Sequence, residues 1–406
     1  MKKVLTFIMA GGKGERLSPL TKDRAKPAVP FGGVYRIIDF TLSNCINSDL
    51  RRIHVLTQYK SYSLTRHISR GWNVLNSELG EYVDAIPAQQ RVDEHWYQGT
   101  ADSIYQNIYA IEDEDPEDVL ILAGDHVYKM DYRKMIGFHR DQGADLTVAV
   151  VEIPREEAGE FGICELDNRC RVKNIIEKPE TEKELTTDAD NVFASMGIYV
   201  FKREALQKVL LENAGNKDSS HDFAKNIIPM MLNKYKIAAY NFKDEETNKP
   251  MYWRDVGSLD AYYEANMELV DVVPLFNLYD KNWPFRTYQE QFGPTKTVFA
   301  GGGQDNRIGT VLDSLVSHGC IISGGKVERS ILSPNVRINS FSEVTESVLM
   351  EGVDIGRHAK IRRAIIDKYV KIPPDMAIGF NPEKDRKRFK VTESGIVVIP
   401  KNMVIT

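Results

Sequence analysis

The sequence is poor in cysteine and has no long hydrophobic run. Its four cysteines, among 406 residues, lack the paired spacing of a zinc site, so we expect reduced thiols and no disulfide or structural zinc. No apolar run approaches the roughly 20 residues that span a bilayer, and no signal-peptide pattern opens the chain, which predicts a cytoplasmic protein without a membrane partner. The formal net charge of −5 argues against a general nucleic-acid binder.

What is present is typical of a globular protein, with 42 % hydrophobic and 27 % charged residues and enough length for two domains. As far as about residue 150, strand-like runs alternate with segments of helical periodicity. The runs are Val4–Ala10, Ile53–Thr57, Val119–Ala123 and Leu146–Ile153, and the helical segments are Asp39–Asn47, Ser61–Gly71, Ala101–Glu112 and Asp131–Gly143. This rhythm predicts an α/β domain with a mostly parallel sheet that binds ligands at the carboxyl ends of its strands.

The first strand-like run leads into a glycine-rich turn that contains Gly11, Gly12 and Gly14. Glycines let the backbone approach a polyphosphate, and the nearby Arg16 and Lys26 supply the charge that a departing pyrophosphate needs. The spacing lacks the Gly-Lys-Ser/Thr end of a P-loop and does not follow the dinucleotide fingerprint. We therefore interpret the segment as a phosphate-binding loop, with a plain structural turn as the alternative.

Two carboxylates stand where a strand is expected to end. Asp125 follows the run that ends at Ala123, and Asp255 precedes a predicted helix that starts near Ser258. Mg²⁺ takes one or two acidic side chains and otherwise uses substrate phosphates and water, so this pair is our predicted magnesium site. A helix cap is the alternative for Asp125 and a turn residue for Asp255. We interpret His126 as a neighbour that shapes the loop.

Two further segments suit the recognition of a base and of a sugar phosphate. Gln89, Gln90 and the stretch from Trp96 to Asp102 offer amide and aromatic groups for a nucleobase, although a packed aromatic cluster explains them equally well. Lys178 supplies a cation for a phosphate, with a solvated turn as its alternative reading. The polar groups expected around the sugar are Glu177, Ser195 and Asp222.

The phosphate-binding loop, with Leu17 and Pro27, resembles the signature of sugar-nucleotide pyrophosphorylases, which join an NTP to a sugar 1-phosphate. Within that group, longer stretches resemble bacterial glucose-1-phosphate adenylyltransferases, also called ADP-glucose pyrophosphorylases. These stretches are Arg24–Val29, Arg36–Phe40, Leu42–Asn47, Trp96–Asp102, Gly124–Asp131 and Trp253–Gly257. The resemblance implies a Rossmann-like nucleotidyltransferase domain that uses Mg²⁺ and converts ATP and glucose 1-phosphate into ADP-glucose and pyrophosphate for glycogen-type synthesis.

The resemblance also assigns roles to single residues. The ATP-binding residues it implies are Gly11, Gly12, Gly14, Arg16, Lys26, Gln89, Tyr97, Gly99 and Asp125. Those for glucose 1-phosphate are Tyr97, Gly162, Glu177, Lys178, Ser195, Asp222, Trp253 and Asp255. The catalytic set is Arg16, Lys26, Asp125, Lys178 and Asp255, with the metal on the two aspartates. Alternatives are a sibling enzyme that uses another NTP and a regulatory subunit without catalysis, although retention of the catalytic set counts against the latter.

The C-terminal part contains a repeat with a step of 17 residues. Four apolar columns keep this step, namely Val327/Val344/Ile361, Ile331/Val348/Ile365, Val336/Val353/Val370 and Ile338/Ile355/Ile372, and Leu315, Cys320 and Ile322 add one coil with a step of 16. Such a period predicts a parallel β-helix, and the resemblance implies a left-handed one. We expect a catalytic domain at 1–270, a linker at 271–294 and a β-helix domain at 295–406. An assembly role is preferred to acyltransferase activity, since only His318 and His358 are available, and the family implies a homotetramer.

The resemblance further implies an allosteric site for a small-molecule effector between the two domains. The residues that it assigns to this site are Arg24, Arg36, Lys368 and Lys401. Enzymes activated by fructose 1,6-bisphosphate carry basic residues at the positions of Asp23, Pro30 and Ile405, and this chain does not. This difference counts against fructose 1,6-bisphosphate as the effector and leaves the identity of the effector open.

Overall fold

The computed structural model of the chain describes residues 1, 3–89, 95–180, 185, 189–301 and 307–405. The strands before residue 260 are β1 (Val4–Met9), β2 (Pro30–Phe31), β3 (Tyr35–Arg36), β4 (Arg52–Thr57), β5 (Tyr82–Pro87), β6 (Asp118–Ala123), β7 (His126–Tyr128), β8 (Leu146–Pro154), β9 (Gly162–Leu166), β10 (Val172–Glu177), β11 (Asn191–Lys202), β12 (Ile237–Asn241) and β13 (Trp253–Asp255). The helices of the same region are α1 (Ile37–Asn47), α2 (Tyr62–Gly71), α3 (Thr100–Tyr105), α4 (Ile108–Glu114), α5 (Tyr132–Gln142), α6 (Arg203–Ala214), α7 (Ile228–Met231) and α8 (Leu259–Met267).

Nine of these strands form one mixed sheet. Its main path runs β10-β9-β11-β6-β1-β4-β5, and β8 pairs with β11 and with β12. The neighbours β6, β1, β4 and β5 are parallel, while β11 runs antiparallel to β6. Residues 4–8 of β1 are buried, as expected for a central strand covered on both faces. The sequence-based prediction of an α/β domain with a mostly parallel mixed sheet is thus confirmed.

The helices follow the predicted segments with one difference. The segment predicted as one helix from Ala101 to Glu112 forms two helices, α3 and α4, that meet at Gln106 and Asn107. The Asn107 side chain donates to the Ser103 carbonyl at 2.8 Å, a bond back to the preceding turn that competes with a continuous helix. None of the described helices is long and apolar enough to cross a bilayer.

A separate two-stranded sheet brings distant parts of the chain together at the edge of the main sheet. Strand β13 pairs antiparallel with β7, and Asp255 lies opposite His126 in this pairing. Because β7 directly follows the turn after β6, Asp255 is carried to the carboxyl end of a central strand of the main sheet. This small sheet therefore decides the geometry of the site described below.

The C-terminal part is a β-helix of short parallel strands. They are β14 (Lys296–Val298), β15 (Thr310–Leu312), β16 (Leu315–Val316), β17 (Ile321–Ser323), β18 (Lys326–Glu328), β19 (Ile331–Leu332), β20 (Arg337–Ile338), β21 (Glu343–Thr345), β22 (Val348–Leu349), β23 (Asp354–Ile355), β24 (Lys360–Arg362), β25 (Ala364–Ile366), β26 (Lys371–Ile372), β27 (Ala377–Ile378), β28 (Lys390–Val391) and β29 (Val397–Ile399), with helix α9 (Pro382–Arg386) after β27. Up to β27 every third strand joins the same sheet, so the coil has three faces. After α9, β29 pairs parallel with β25, and β28 pairs antiparallel with β29. The predicted columns are in register, with Val327 beside Val344 and Val344 beside Ile361, and all three are buried.

The β-helix packs against the catalytic domain through a shared apolar cluster. Phe31 and Leu269 of the catalytic domain, Phe276 of the following segment, and Ile331 and Ile365 of the β-helix belong to one buried group. The last helical turn before this segment is Glu268–Val270, and β14 begins at Lys296. The boundaries expected at 270 and 294 fall between these two elements, and the division into independently folding domains stays a prediction.

Candidate active site

A cleft of about 550 Å³ opens at the carboxyl ends of β1, β4 and β6. The glycine-rich loop forms one wall, and Gln58 and Tyr59, which directly follow β4, form another. Eight residues that the resemblance assigned to ATP line this cleft, namely Gly11, Gly12, Gly14, Arg16, Lys26, Tyr97, Gly99 and Asp125. The loop after a parallel strand thus has the position in which α/β proteins bind ligands.

The backbone of the loop depends on glycine at position 14. Gly14 has φ of +63°, in the left-handed region, and an added Cβ would lie 3.0 Å from the Cβ of Lys26. This close approach brings Lys26 beside the loop, although the two residues are twelve positions apart. At Gly12 an added Cβ would meet nothing within 4 Å, so its backbone faces open space that a ligand can enter.

Lys26 lies between the two predicted metal ligands. Its Nζ is 2.9 Å from Asp125 Oδ2 and 2.7 Å from Asp255 Oδ1, and its side chain is only 9 % exposed. The bonds are charge-assisted, which makes them short and strong. Arg16 adds a second cation, with Nη2 at 3.9 Å from Asp255 Oδ2.

The charges at this site shift each other's protonation equilibria. Burial alone would lower the pKa of Lys26, but Asp125 and Asp255 outweigh it and hold that pKa above its usual value. Burial would raise the pKa of Asp125, but Lys26 and His126 outweigh it and hold that pKa well below its usual value. Lys26 is therefore cationic and Asp125 anionic throughout the neutral pH range.

Asp125, His126 and Asp255 together can hold a divalent metal ion. One ligand atom from each of the three lies within 4.8 Å of the others. His126 Nε2 faces both carboxylates, at 3.6 Å from Asp125 Oδ1 and 3.9 Å from Asp255 Oδ1, and the ring packs edge-on against Trp253. The sequence favours His126 as a neighbour that shapes the loop, and in the structure its Nε2 also faces both predicted metal ligands. Its position opposite Asp255 in β13 explains why sequence spacing alone did not reveal this.

Arg16 is held from a second side by Glu160. Its Nη1 donates to Glu160 Oε2 at 2.7 Å, and its side chain is about half exposed at the mouth of the cleft. An exposed guanidinium in this position can move toward an incoming phosphate. Nothing in the sequence pattern around Glu160 indicated this contact.

The predicted base-reading segment is only partly at the cleft. Tyr97 lines it, and its hydroxyl accepts a hydrogen bond from Asn107 Nδ2 at 2.9 Å. Gly99 packs so closely on the neighbouring loop that an added Cβ would lie 2.3 Å from the carbonyl oxygens of Ser220 and His221. Gln89 is exposed and does not line the cleft, while Gln90 lies outside the described residues. The sequence analysis missed Gln58 and Tyr59, although they follow a parallel strand at the same sheet edge.

Some of the residues predicted to hold the sugar phosphate contact one another, but of that set only Tyr97 lines the cleft. Gly162 and Glu177 pair across β9 and β10, and burial, followed by the charge of Asp222, raises the pKa of Glu177. The exposed Lys178 donates its backbone N–H to the carbonyl of Phe161, whose ring packs on Trp253. Asp222 also caps a helical turn, since it accepts the N–H groups of residues 224 and 225.

Ser195 lies on β11, next to an irregularity in its pairing with β8. Gly197, which follows two residues later, has φ of +66° and donates its N–H to Ser195 Oγ at 3.5 Å. A bulge of this kind re-aims side chains near the end of a strand. The assignment of Ser195 and its neighbours to the sugar stays a prediction.

A second cavity, of about 100 Å³, lies between the catalytic domain and the β-helix. Four cationic side chains line it, Arg36, Arg66, Arg70 and Lys368, with the carboxylates of Glu290 and Glu351. Burial lowers the pKa of both Arg36 and Lys368, and nearby arginines lower both further. Sequence reasoning missed Arg66 and Arg70, which lie on the exposed face of α2.

The other two residues assigned to the allosteric site have different surroundings. Arg24 is buried and makes two 2.7 Å contacts to the carboxylate of Asp367 in the β-helix. Lys401 lies over the ring of Tyr369, which lines the cavity. Arg36 and Lys368 are thus at the cavity, Lys401 is one residue away from it, and Arg24 acts as an ion-pair partner between the domains.

Comparison with known proteins places this architecture in a family. Residues 5–272 match the nucleotidyl transferase family, and residues 293–399 match the GlmU-like C-terminal hexapeptide family. A relative from Koribacter versatilis, named glucose-1-phosphate adenylyltransferase, is 54 % identical over 99 % of this chain and 96 % of its own length. A relative of the same name from Rhodopirellula baltica is 54 % identical over 100 % of this chain and 91 % of its own.

A third relative, named glucose-1-phosphate adenylyltransferase 2, comes from Vibrio cholerae and is 47 % identical over 99 % of this chain and 98 % of its own length. The agreement therefore extends through the cleft, the linker and the β-helix together. The recognition made from the phosphate-binding loop and the longer motifs is confirmed. This chain is a nucleotidyl transferase and belongs to the glucose-1-phosphate adenylyltransferase family.

Proposed function

We propose that this chain transfers the adenylyl group of ATP to glucose 1-phosphate, releasing pyrophosphate and forming ADP-glucose for glycogen-type synthesis. The observation that carries the proposal is the site in which Lys26 lies within 3 Å of both Asp125 and Asp255 beside the glycine-rich loop. The names of the relatives support the choice of substrates. The glycine-rich loop and Asp125 line the same cleft, so one bound nucleotide can contact both.

The reaction needs alignment and charge neutralisation more than proton transfer. The attacking phosphate oxygen of glucose 1-phosphate is already anionic, so no general base is required. Lys178, whose backbone N–H bonds to Phe161, would hold that phosphate for in-line attack on the α-phosphorus. The backbone of the glycine-rich loop and the cations Arg16 and Lys26 would stabilise the negative charge that develops on the departing pyrophosphate.

Asp125 and Asp255 are the proposed ligands of Mg²⁺, with His126 close enough to support the ion's position. When bound, the ion neutralises phosphate charge and orients the oxygens of the α-phosphate. Asp125 remains ionised at neutral pH because the Lys26 ammonium beside it holds its pKa well below the usual value. Removal of divalent metal with a chelator is therefore expected to stop turnover without unfolding the protein.

The test is pyrophosphate release by the purified protein with Mg²⁺ and glucose 1-phosphate, with ATP, UTP, GTP and dTTP compared in parallel. A strong preference for ATP supports the proposal. Release with another nucleotide indicates a sibling specificity, and no release indicates a regulatory subunit. Asp125→Asn should abolish turnover in a folded protein, whereas Asp131→Asn, which keeps a good helix cap at the start of α5, should not.

We further propose that the cavity between the domains binds an anionic effector. Four cationic side chains line it. Burial and neighbouring arginines destabilise the charged forms of Arg36 and Lys368, and a bound anion would stabilise them. Arg36→Ala and Arg66→Ala should change the response to sugar phosphates and leave the basal rate nearly intact. A collapse of the basal rate would indicate a structural role, for which Arg36 has a contact, since it donates to Ser63 Oγ at 2.9 Å.

Assembly into a homotetramer is a separate proposal. The segment after the catalytic domain exposes three apolar side chains, Val272, Val273 and Leu275, each more than 80 % exposed. The first coil of the β-helix also leaves β14, β15 and β16 at the edges of their sheets. Light scattering of the protein in solution, with Val273→Asp as the variant expected to weaken association, tests this proposal.

A further inference from the structure

Lys26 occupies the space that a metal ion bound to the two aspartates would need. Its Nζ contacts Asp125 Oδ2 and Asp255 Oδ1 at the same time, and its side chain is nearly buried. A lysine can satisfy two carboxylates in this way because its ammonium carries three donors. In this arrangement, the site has its own internal counter-ion.

The same carboxylates are close to the spacing that a divalent ion needs. Mg²⁺ binds oxygen at about 2.1 Å, so two oxygens that share one ion are at most about 4.2 Å apart. The three candidate ligand atoms already lie within 4.8 Å of one another, so a small movement brings them to this distance. Metal binding therefore requires the Lys26 ammonium to move away, because the ammonium and a metal ion this close would repel each other.

The Lys26 ammonium has a second possible binding partner in the same cleft. Lys26 packs against Gly14 and lines the cleft together with the glycine-rich loop. A phosphate group bound by that loop offers the ammonium a new anionic partner within the same cleft. Arg16 cannot play this part equally well, because its side chain is half exposed, is held by Glu160 and reaches Asp255 only at 3.9 Å.

We propose that Lys26 is the resident counter-ion of Asp125 and Asp255, and that a divalent cation enters only when nucleotide phosphate draws the ammonium away. The inference rests on the proposed function for the identity of the nucleotide but not for the contact itself. It makes metal and nucleotide binding cooperative through one side chain. It also keeps the aspartates from binding metal when no substrate is present.

The test measures Mn²⁺ binding to the full-length protein without nucleotide, by electron paramagnetic resonance of the free ion. Lys26→Met should bind Mn²⁺ at least about tenfold more tightly than the wild type, since its two carboxylates face each other without a counter-ion. Asp255→Asn in the Lys26→Met background should remove the gain. The matched control is Lys13→Met, because Lys13 lies on the same loop but is 60 % exposed and 3.9 Å from Glu15.

Equal Mn²⁺ affinity in the wild type and Lys26→Met would overturn the inference. If circular dichroism shows that Lys26→Met does not fold, the wild type gives a second test by water-proton relaxation. Mn²⁺ at a concentration that produces no enhancement with protein alone should produce one after ATP is added, and full enhancement with Mn²⁺ alone would overturn the inference. An enzyme that uses another nucleotide would fail the ATP measurement but keep the difference between the wild type and Lys26→Met.

Discussion

The ion pair between Arg24 and Asp367 is expected to hold the two domains together. Arg24 Nη2 lies 2.7 Å from each carboxylate oxygen, and the two residues are 4 % and 1 % exposed. Removing one partner of a buried pair leaves an unpaired buried charge and costs roughly 3–5 kcal/mol. For Asp367→Ala, the guanidinium would retain Met350 Sδ at 3.9 Å, which is a weak acceptor.

For a chain of 406 residues that unfolds as one unit, we therefore expect Asp367→Ala to lower the apparent Tm by roughly 4–6 °C. The double variant Arg24→Met/Asp367→Leu should recover most of that loss, because an apolar pair leaves no buried charge. Asp271→Ala is the matched control: its pair with Arg329 also joins the β-helix to the segment before it, but at 3.3 Å and half exposed. It should cost less than about 1 kcal/mol.

The assay is thermal unfolding followed by circular dichroism, with pyrophosphate release measured on the same samples. An unchanged Tm in Asp367→Ala would refute the reasoning from burial. The experiment also tests the role of Arg24, which the family resemblance assigned to the allosteric site. If Arg24 bound effector directly, Arg24→Met/Asp367→Leu would lose the effector response while keeping its stability. If Arg24 is an ion-pair partner only, both are retained.

Two further predictions follow from contacts in the catalytic domain. Gly99→Ala should lower both Tm and kcat/KM, since its Cβ would be 2.3 Å from the carbonyl oxygens of Ser220 and His221; normal values of both would show that the loops separate freely. Burial lowers the pKa of His139 to about 4, so the unfolded chain takes up a proton between pH 6.5 and 4 that the folded chain does not. His139 alone should therefore lower stability by roughly 3 kcal/mol over that interval. In urea titrations His139→Gln should show a correspondingly smaller fall than the wild type, and an equal fall in both proteins would contradict the assignment.

Local pattern predicted the elements of the fold well. The strands that end at Met9, Thr57 and Ala123 coincide with the apolar runs seen in the sequence. The repeat of 17 residues places equivalent residues side by side on neighbouring strands. These features depend on burial at a regular period, which a sequence records directly. The split between α3 and α4 was missed, because it depends on one asparagine side chain that bonds to its own preceding turn.

The position of a site residue could be predicted from the sequence only where that residue directly follows a predicted strand. The position of Asp125 followed from the strand before it, whereas the approach of His126 to Asp255 depends on the pairing of β7 with β13. Arg66 and Arg70 reach the cavity between the domains because of how the β-helix packs against α2 and its neighbours. Such contacts between distant segments leave no periodic signal in a single sequence, so the pattern could not reveal them.

The β-helix gives this protein a way to change length in evolution without redesigning its interior. Each coil adds one strand to each of three sheets, and the buried columns continue unchanged from one coil to the next. Duplication or loss of a whole coil therefore preserves packing, whereas an insertion of a few residues is tolerated only at a corner. The step of 16 residues between Leu315 and Ile331, where later coils have 17, shows the scale of variation that a corner absorbs.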